Sequence, residues 1–453
     1  MTDVLGFAAY LLLPLIGIAV WRLDGVRKLA LDGRIAIAGA AGALIFGVAM
    51  AVMPVVGLTW SRTRLFVVFG LIAVIGFRVA RVGAGFSRHR PAEAGLYTKL
   101  ALLLVFAITA YALLTARATC GDLLFFWGPK GVHFFRAGKI DLAYLADWSN
   151  VMAHRDYPPL LPLLYAWSHT VSAQFSWWAA VLFSGLCLAG IVAIVRAGGR
   201  SDVVALLAAA ALSCAFISAR VAGAADPLLL FFEATTAAAL TFMDDARSQW
   251  IVAAIGVAGA VLTKVEGLGF AVAVLLTVLL VKPRTIARAA IVVPGALLIG
   301  AWLLVMAHHG MLAEYLSHGP IHIEYLPRVL TSTVRTASME TLWIPWIAPA
   351  LVMMLGDVRR ARVPLLLGAL TFGAAIFFYL HGPEDPTSWW IRASAPRVLL
   401  TPLVMLVMAA SAATGERTPC PAVILTLSEA KGKDLVHSGG DPSPSPRLRN
   451  TKR

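Results

Sequence analysis

Charge is the scarcest resource in this chain. Only 14% of its 453 residues are Asp, Glu, Lys or Arg, against 59% hydrophobic, and mean hydropathy is +0.81. A soluble domain of this length needs a charged surface that such a composition cannot supply, so that class is excluded. Cysteine is also scarce, at four residues. Cys187 and Cys214 lie in apolar runs, Cys120 borders a polar stretch and Cys420 is near the C-terminal end. Without a CxxC pair or a regular spacing, neither a disulfide framework nor a cysteine metal site is expected. The first apolar run follows Met-Thr-Asp with no basic stretch before it and no small-residue cleavage site. It reads as a retained helix, not a signal peptide.

What is present in excess is apolar sequence. Runs of 17 to 24 residues recur, each long enough to cross a hydrocarbon core of roughly 30 Å as a helix. Backbone amides must be paired within such a segment, so helix is the expected spanning form. The fold class is all-α: a polytopic membrane protein with about 13 transmembrane helices plus interfacial helices in the first long outer loop. The expected spans are 4–21, 35–58, 65–80, 97–115, 175–196, 203–221, 225–243, 250–263, 267–281, 287–307, 341–356, 363–380 and 397–414. Residues 158–171 are apolar but short and begin with Pro158-Pro159, which fits a shallow or re-entrant helix better than a span. Four regions follow: N-terminal transmembrane helices (1–115), an outer catalytic loop (116–174), a transmembrane core (175–414) and a tail (415–453). The tail, with Gly439-Gly440 and Ser443-Pro444-Ser445-Pro446, cannot bury a core and is expected to be disordered.

The net charge of +14 is a topology signal and not a nucleic-acid signal, because the basic residues fall in short clusters between apolar runs. Clusters at 22–34, 78–99, Arg196 with Arg200, Arg247, 282–288 and 359–362 fall on one side. That side has 18 basic against 7 acidic residues, net +11, while the other side nets zero and the tail adds +3. The first side is therefore expected to be cytoplasmic, which puts the N-terminus outside and the C-terminus inside. It holds only if 158–171 does not span.

The polar groups that interrupt the apolar pattern then share the outer face. The longest polar stretch, 116–157, carries Gly121-Asp122, Trp127 and Lys130, then His154, Asp156 and Tyr157 before the two prolines. A carboxylate such as Asp122 at a membrane surface can act as general base towards a hydroxyl, or simply cap a helix. The prolines fix an extended approach to the next helix, which holds His154, Asp156 and Tyr157 at the interface. Phe125, Phe126, Phe134 and Phe135 give the following segment an apolar face. Asp226-Pro227 opens an apolar helix, either as a cap or as part of an anion site. Lys264 and Glu266 sit between two apolar runs, where charges cost a few kcal/mol unless paired or facing a cavity. Arg397 lies just inside the last apolar run after Trp389-Trp390 and Arg392, and a guanidinium suits phosphate. His308, His309, His318 and His322 have spacings that make a weak case for metal.

Together these pieces resemble the GT-C superfamily of membrane glycosyltransferases, which includes protein mannosyltransferases, aminoarabinose transferases and rhizobial lipopolysaccharide transferases. The similar segments are Gly121-Asp122 with Trp127 and Lys130, His154 to Pro159 with Leu160-Leu161-Pro162, Ala225-Asp226-Pro227-Leu228, Thr263-Lys264-Val265-Glu266-Gly267, and Ser394 to Arg397. Three helices before the catalytic loop are additional to the usual plan. The resemblance implies transfer of a sugar from a polyprenyl-phosphate donor to a hydroxyl of an envelope glycan, lipid or protein, at the outer face of a bacterial inner membrane. It implies inversion by single displacement, without cofactor or metal. Asp122 is then the general base, and Asp156 or Asp226 shapes the acceptor side. Lys264 and Arg397 neutralise the departing lipid phosphate, with Trp127, Lys130, His154, Tyr157 and Glu266 as further binding residues.

Two other readings compete. A transporter or flippase of a lipid-linked precursor is expected to place polar groups near the midplane, within two related halves. No such repeat is seen in the sequence. A scaffold protein would make the polar cluster incidental.

Overall fold

Long uncharged stretches become long helices. In a computed structural model of the chain, residues 2–82, 95–147, 149, 154–281, 289–312, 320–341, 343–381 and 390–415 are described. The basic cluster at 282–288, Arg88 and Arg90, His318, Trp389 and the tail from 416 onward lie outside the described residues. Among the described residues there is no strand, only an isolated bridge between Ile321 and His381.

The main helices are α1 (Thr2–Leu11), α2 (Leu31–Val55), α3 (Arg62–Val82), α4 (Leu96–Thr119), α5 (Gly128–Ala137), α6 (Leu160–Ser172), α7 (Trp177–Gly199), α8 (Asp202–Ala219), α9 (Asp226–Phe242), α10 (Ala246–Thr263), α11 (Glu266–Val281), α12 (Val293–His308), α13 (Leu326–Thr341), α14 (Ile344–Met354), α15 (Arg362–Leu380), α16 (Trp390–Val398) and α17 (Leu400–Thr414). Each of the thirteen expected spans has a helix at its place. Among the described residues ten helical segments are long and apolar enough to cross a bilayer. That makes the chain a multi-pass helical membrane protein. The helices at the other three places are shorter: α9 has 17 residues, α11 has 16 and α14 has 11.

Burial separates inner helices from outer ones. In α7 and α10, 72% of the spanning window is buried inside the protein, against 17% in α3 and 22% in α4. The outer pair therefore presents its apolar surface to lipid. Small residues bring the inner helices close, as expected where lipid is as apolar as the side chains. On α10, a side chain at Gly256 or Gly259 would run into Thr236 or Phe232 of α9.

Charges at the end remote from the site act as clamps. Arg196 on α7 grips Asp32 on α2 through two bonds of 2.7 Å, with Asp202 of α8 3.4 Å away. A forked guanidinium–carboxylate pair fixes geometry as well as charge.

The apolar run after Pro159 forms α6, which at 13 residues is roughly 20 Å long, too short for a span. All of its residues are buried. Three of its polar side chains bond within the protein: Trp167 Nε1 donates to Ala9 O at 3.0 Å, Ser168 Oγ to Gly6 O at 2.8 Å, and Tyr165 OH to Gly223 O at 2.7 Å. The polar loop before α6 is thereby anchored to the core.

Candidate ionic active site

The α9–α10 pair explains how the first two site residues meet. The helices pack side by side and are joined by a short turn, so the start of α9 lies beside the end of α10. Asp226 opens α9 and Lys264 follows α10. Each charge sits at the helix terminus where the backbone dipoles favour it. Lys264 Nζ donates to Asp226 Oδ1 at 2.9 Å and lies 2.7 Å from Glu266 Oε1. A side chain at Gly267 would strike the Ala260 carbonyl, so the tight turn that sets Glu266 beside Lys264 requires glycine there.

Arg397 completes the chain from the other side of the sequence. Its Nη2 donates to Asp226 Oδ2 at 2.9 Å and to Asp122 Oδ2 at 2.5 Å. Asp122, Arg397, Asp226, Lys264 and Glu266 thus form one alternating line of charge, gathered from four places in the chain. Asp226 and Lys264 are buried, while Asp122, Arg397 and Glu266 are partly open. Three carboxylates face two cations, so the line carries one excess negative charge when all are ionised. Burial opposes the charge on Lys264, but Asp226 and then Glu266 outweigh it and hold the ammonium above the usual lysine range.

Two groups on this line keep unused hydrogen-bonding capacity among the described residues. Among the described residues, Asp122 Oδ1 carries no hydrogen bond, since Arg397 engages only Oδ2. Arg397 Nε is buried and has no hydrogen-bond partner among the described residues. A buried donor without a partner is costly unless something else fills the role.

The remaining expected site residues form a second group. Lys130 lies on α5, and its Nζ donates to the His154 carbonyl at 2.5 Å and sits 5.4 Å from the Trp127 ring and 5.9 Å from the Tyr157 ring. Trp127 and Tyr157 meet edge to face at 5.7 Å, and His154 packs against Tyr157 at 4.8 Å. The charges of the ionic line act on Tyr157. Desolvation, and then the charge of Glu266, push its phenol well above the usual range, with Arg397 and Asp122 also acting on it. Asp156 is 2% exposed, and its backbone carbonyl accepts from Trp302 Nε1 at 2.8 Å.

Some details differ from the surface-helix expectation. Residues Leu123–Trp127 form a π-helical turn before α5. Phe134 is buried in the core, whereas Phe125 is 57% exposed. Among the described residues no group of three or more His, Cys, Asp or Glu is arranged to hold a metal. His308 and His309 face each other edge on at 5.2 Å, and His322 pairs with Glu324 at 2.8 Å.

Sequence reasoning missed Glu233. It is 1% exposed on α9 and accepts from Thr401 Oγ1 of α17 at 2.7 Å. A lone carboxylate seven residues after Asp226 in an apolar helix was the available signal, since that spacing returns to the same helix face.

The chain matches no protein-family model, no curated protein and no solved structure. Its class is defined by fold and site alone: a multi-pass helical membrane protein with a paired, partly open ionic line where several helices end.

Proposed function

We propose that this protein is a membrane glycosyltransferase that moves a sugar from a polyprenyl-phosphate donor to a hydroxyl acceptor. The observation that carries the reading is the gathering of Asp122, Asp226, Lys264, Glu266 and Arg397 into one line at the helix ends, with an unpartnered donor on Arg397. The step is a single displacement. Asp122 Oδ1 takes the proton of the acceptor hydroxyl, the acceptor oxygen forms a bond to the anomeric carbon, and the bond from that carbon to phosphate breaks. The configuration inverts and polyprenyl phosphate leaves. Arg397 and Lys264 stabilise the charge that develops on the leaving phosphate. Both cations are already matched by carboxylates, so phosphate does not settle on bare positive charge. It is received at the partly open guanidinium of Arg397, and the excess negative charge on the line favours taking up a proton as the hydroxyl is activated. Tyr157, half-buried with Trp127 and Lys130 packed behind it, supplies an aromatic surface against which a sugar ring can rest.

The proposal includes thirteen spans in a bacterial inner membrane, with the N-terminus and the site outside and the C-terminus in the cytoplasm. A transporter of a lipid-linked precursor is the second reading, favoured by the buried Glu233 within the bundle. The two separate in a single assay. Purified protein in lipid, given radiolabelled polyprenyl-phosphate hexose and an envelope extract, is expected to release free polyprenyl phosphate. Counterflow of intact donor across vesicles without cleavage would favour transport.

A further inference from the structure

We propose that the groove between α4, α7 and α8 seats one hydrocarbon chain of an anionic lipid acceptor, so that the hydroxyl glycosylated at Asp122 is carried on a lipid. The inference rests on the glycosyl-transfer reading and names its acceptor class.

The groove has a volume of about 310 Å³ and draws on α4 from 108 to 119, α7 from 181 to 188 and the end of α8 from 216. Along α4 that is roughly 16 Å, close to the depth of one leaflet, about half of a 30 Å core. Its inner end is where the helices touch, since a side chain at Gly185 of α7 would run into Thr109 of α4. The groove therefore runs from mid-membrane to the site-side surface.

Its walls suit hydrocarbon. Thr109, Thr115 and Thr119 give their hydroxyls to carbonyls of their own helix, at 2.7 to 3.0 Å. Ser184 is engaged by the Gly223 amide at 2.7 Å. With hydroxyls so occupied, the threonines can offer methyl groups to a ligand. The mouth is different. Arg220, at the C-terminal end of α8, lines it, is exposed and pairs with no carboxylate among the described residues. A cation at the headgroup level attracts anionic lipid.

The groove leads to the base. α4 ends at Thr119, three residues before Asp122, and α8 ends at the turn that leads to Asp226. Gly223 in that turn lies against Leu123, the neighbour of Asp122. Lys264 lies beyond Asp226, on the far side of the ionic line from Asp122. A chain held in the groove thus brings its headgroup to the acceptor side.

The test uses phosphatidylglycerol with a diazirine on one acyl chain, as a trace component of phosphatidylcholine nanodiscs holding the full chain. After illumination, label is expected to concentrate on peptides from 108–119 and 181–188. Ala116→Trp, which fills the groove, should cut that label by about tenfold. Arg220→Gln, a surface change, should cut it by about fivefold, the effect of one basic group at an anionic headgroup. Unlabelled polyprenyl phosphate should not compete. Label spread equally over α3, label unchanged in both variants, or displacement by polyprenyl phosphate would overturn the proposal. Labelling requires no turnover. Selective labelling without donor cleavage therefore removes the transferase reading and keeps the lipid site, while cleavage without selective labelling does the reverse.

Discussion

Each cation in the ionic line serves two carboxylates, and this sets what single changes do. Lys264→Met leaves Asp226 and Glu266 with only Arg397 between them and Asp122. Removing one member of a buried pair typically costs 3–5 kcal/mol, so denaturant unfolding in detergent should show a loss of about that size. The double change Lys264→Met with Asp226→Leu should recover part of it. His169 supplies a pH-dependent effect. Burial, and then Arg136, push its imidazole down to about 4 from 6.5, while Phe135 stacks on it at 3.7 Å. The unfolded chain then takes up this proton first as pH falls. Stability should be full above about 6.5 and decline as pH drops towards about 4. His169→Gln should flatten that part of the pH–stability curve, as read by thermal unfolding. Asp122, Asp226, Lys264, Glu266 and Arg397 were legible in the sequence because a charge in an apolar context stands out. The pairing of Lys264 with Glu266 was legible too, from their adjacency, but the contacts of Arg397 with Asp122 and Asp226 were not, because closure over more than a hundred residues leaves no local trace. Glu233 stands out in the same way but was passed over, because no neighbouring charge marks it as part of a motif.

Helices were more readable than pairings between helices. All thirteen apolar runs became helices, since length and hydropathy suffice to require backbone pairing in lipid. Pro158-Pro159 marked the start of α6, and the charge pattern kept it off the list of spans. Its complete burial was not foreseeable, because it depends on α1 and the 220–225 turn folding back to accept its hydrogen bonds. The α9–α10 contact is set by Gly256 and Gly259. A side chain at Gly256 meets the backbone of Phe232 and Thr236 as well as the Thr236 hydroxyl, and backbone cannot step aside cheaply. Gly256→Val should therefore destabilise by about 1–3 kcal/mol and pull Asp226 away from Lys264. Thermal unfolding reads the first effect and donor cleavage the second.

At the scale of the whole molecule, charge is sorted to two ends. Arg196 with Asp32 and Asp202 marks one, and the line from Asp122 to Glu266 marks the other. The proposed orientation puts the site end outside, so a cysteine introduced at Ser149 should react with a membrane-impermeant maleimide in intact cells, and one at Arg200 should not. The assignment of transfer chemistry depends above all on Asp122. Donor cleavage should be compared for wild type and Asp122→Asn, in lipid with radiolabelled polyprenyl-phosphate hexose and envelope extract. A general base contributes about 10²–10⁴ in rate. Free polyprenyl phosphate should accumulate with wild type and fall by at least about a hundredfold in the variant, with donor binding retained. Equal release by both proteins would contradict the role of Asp122 and the glycosyl-transfer site built around it.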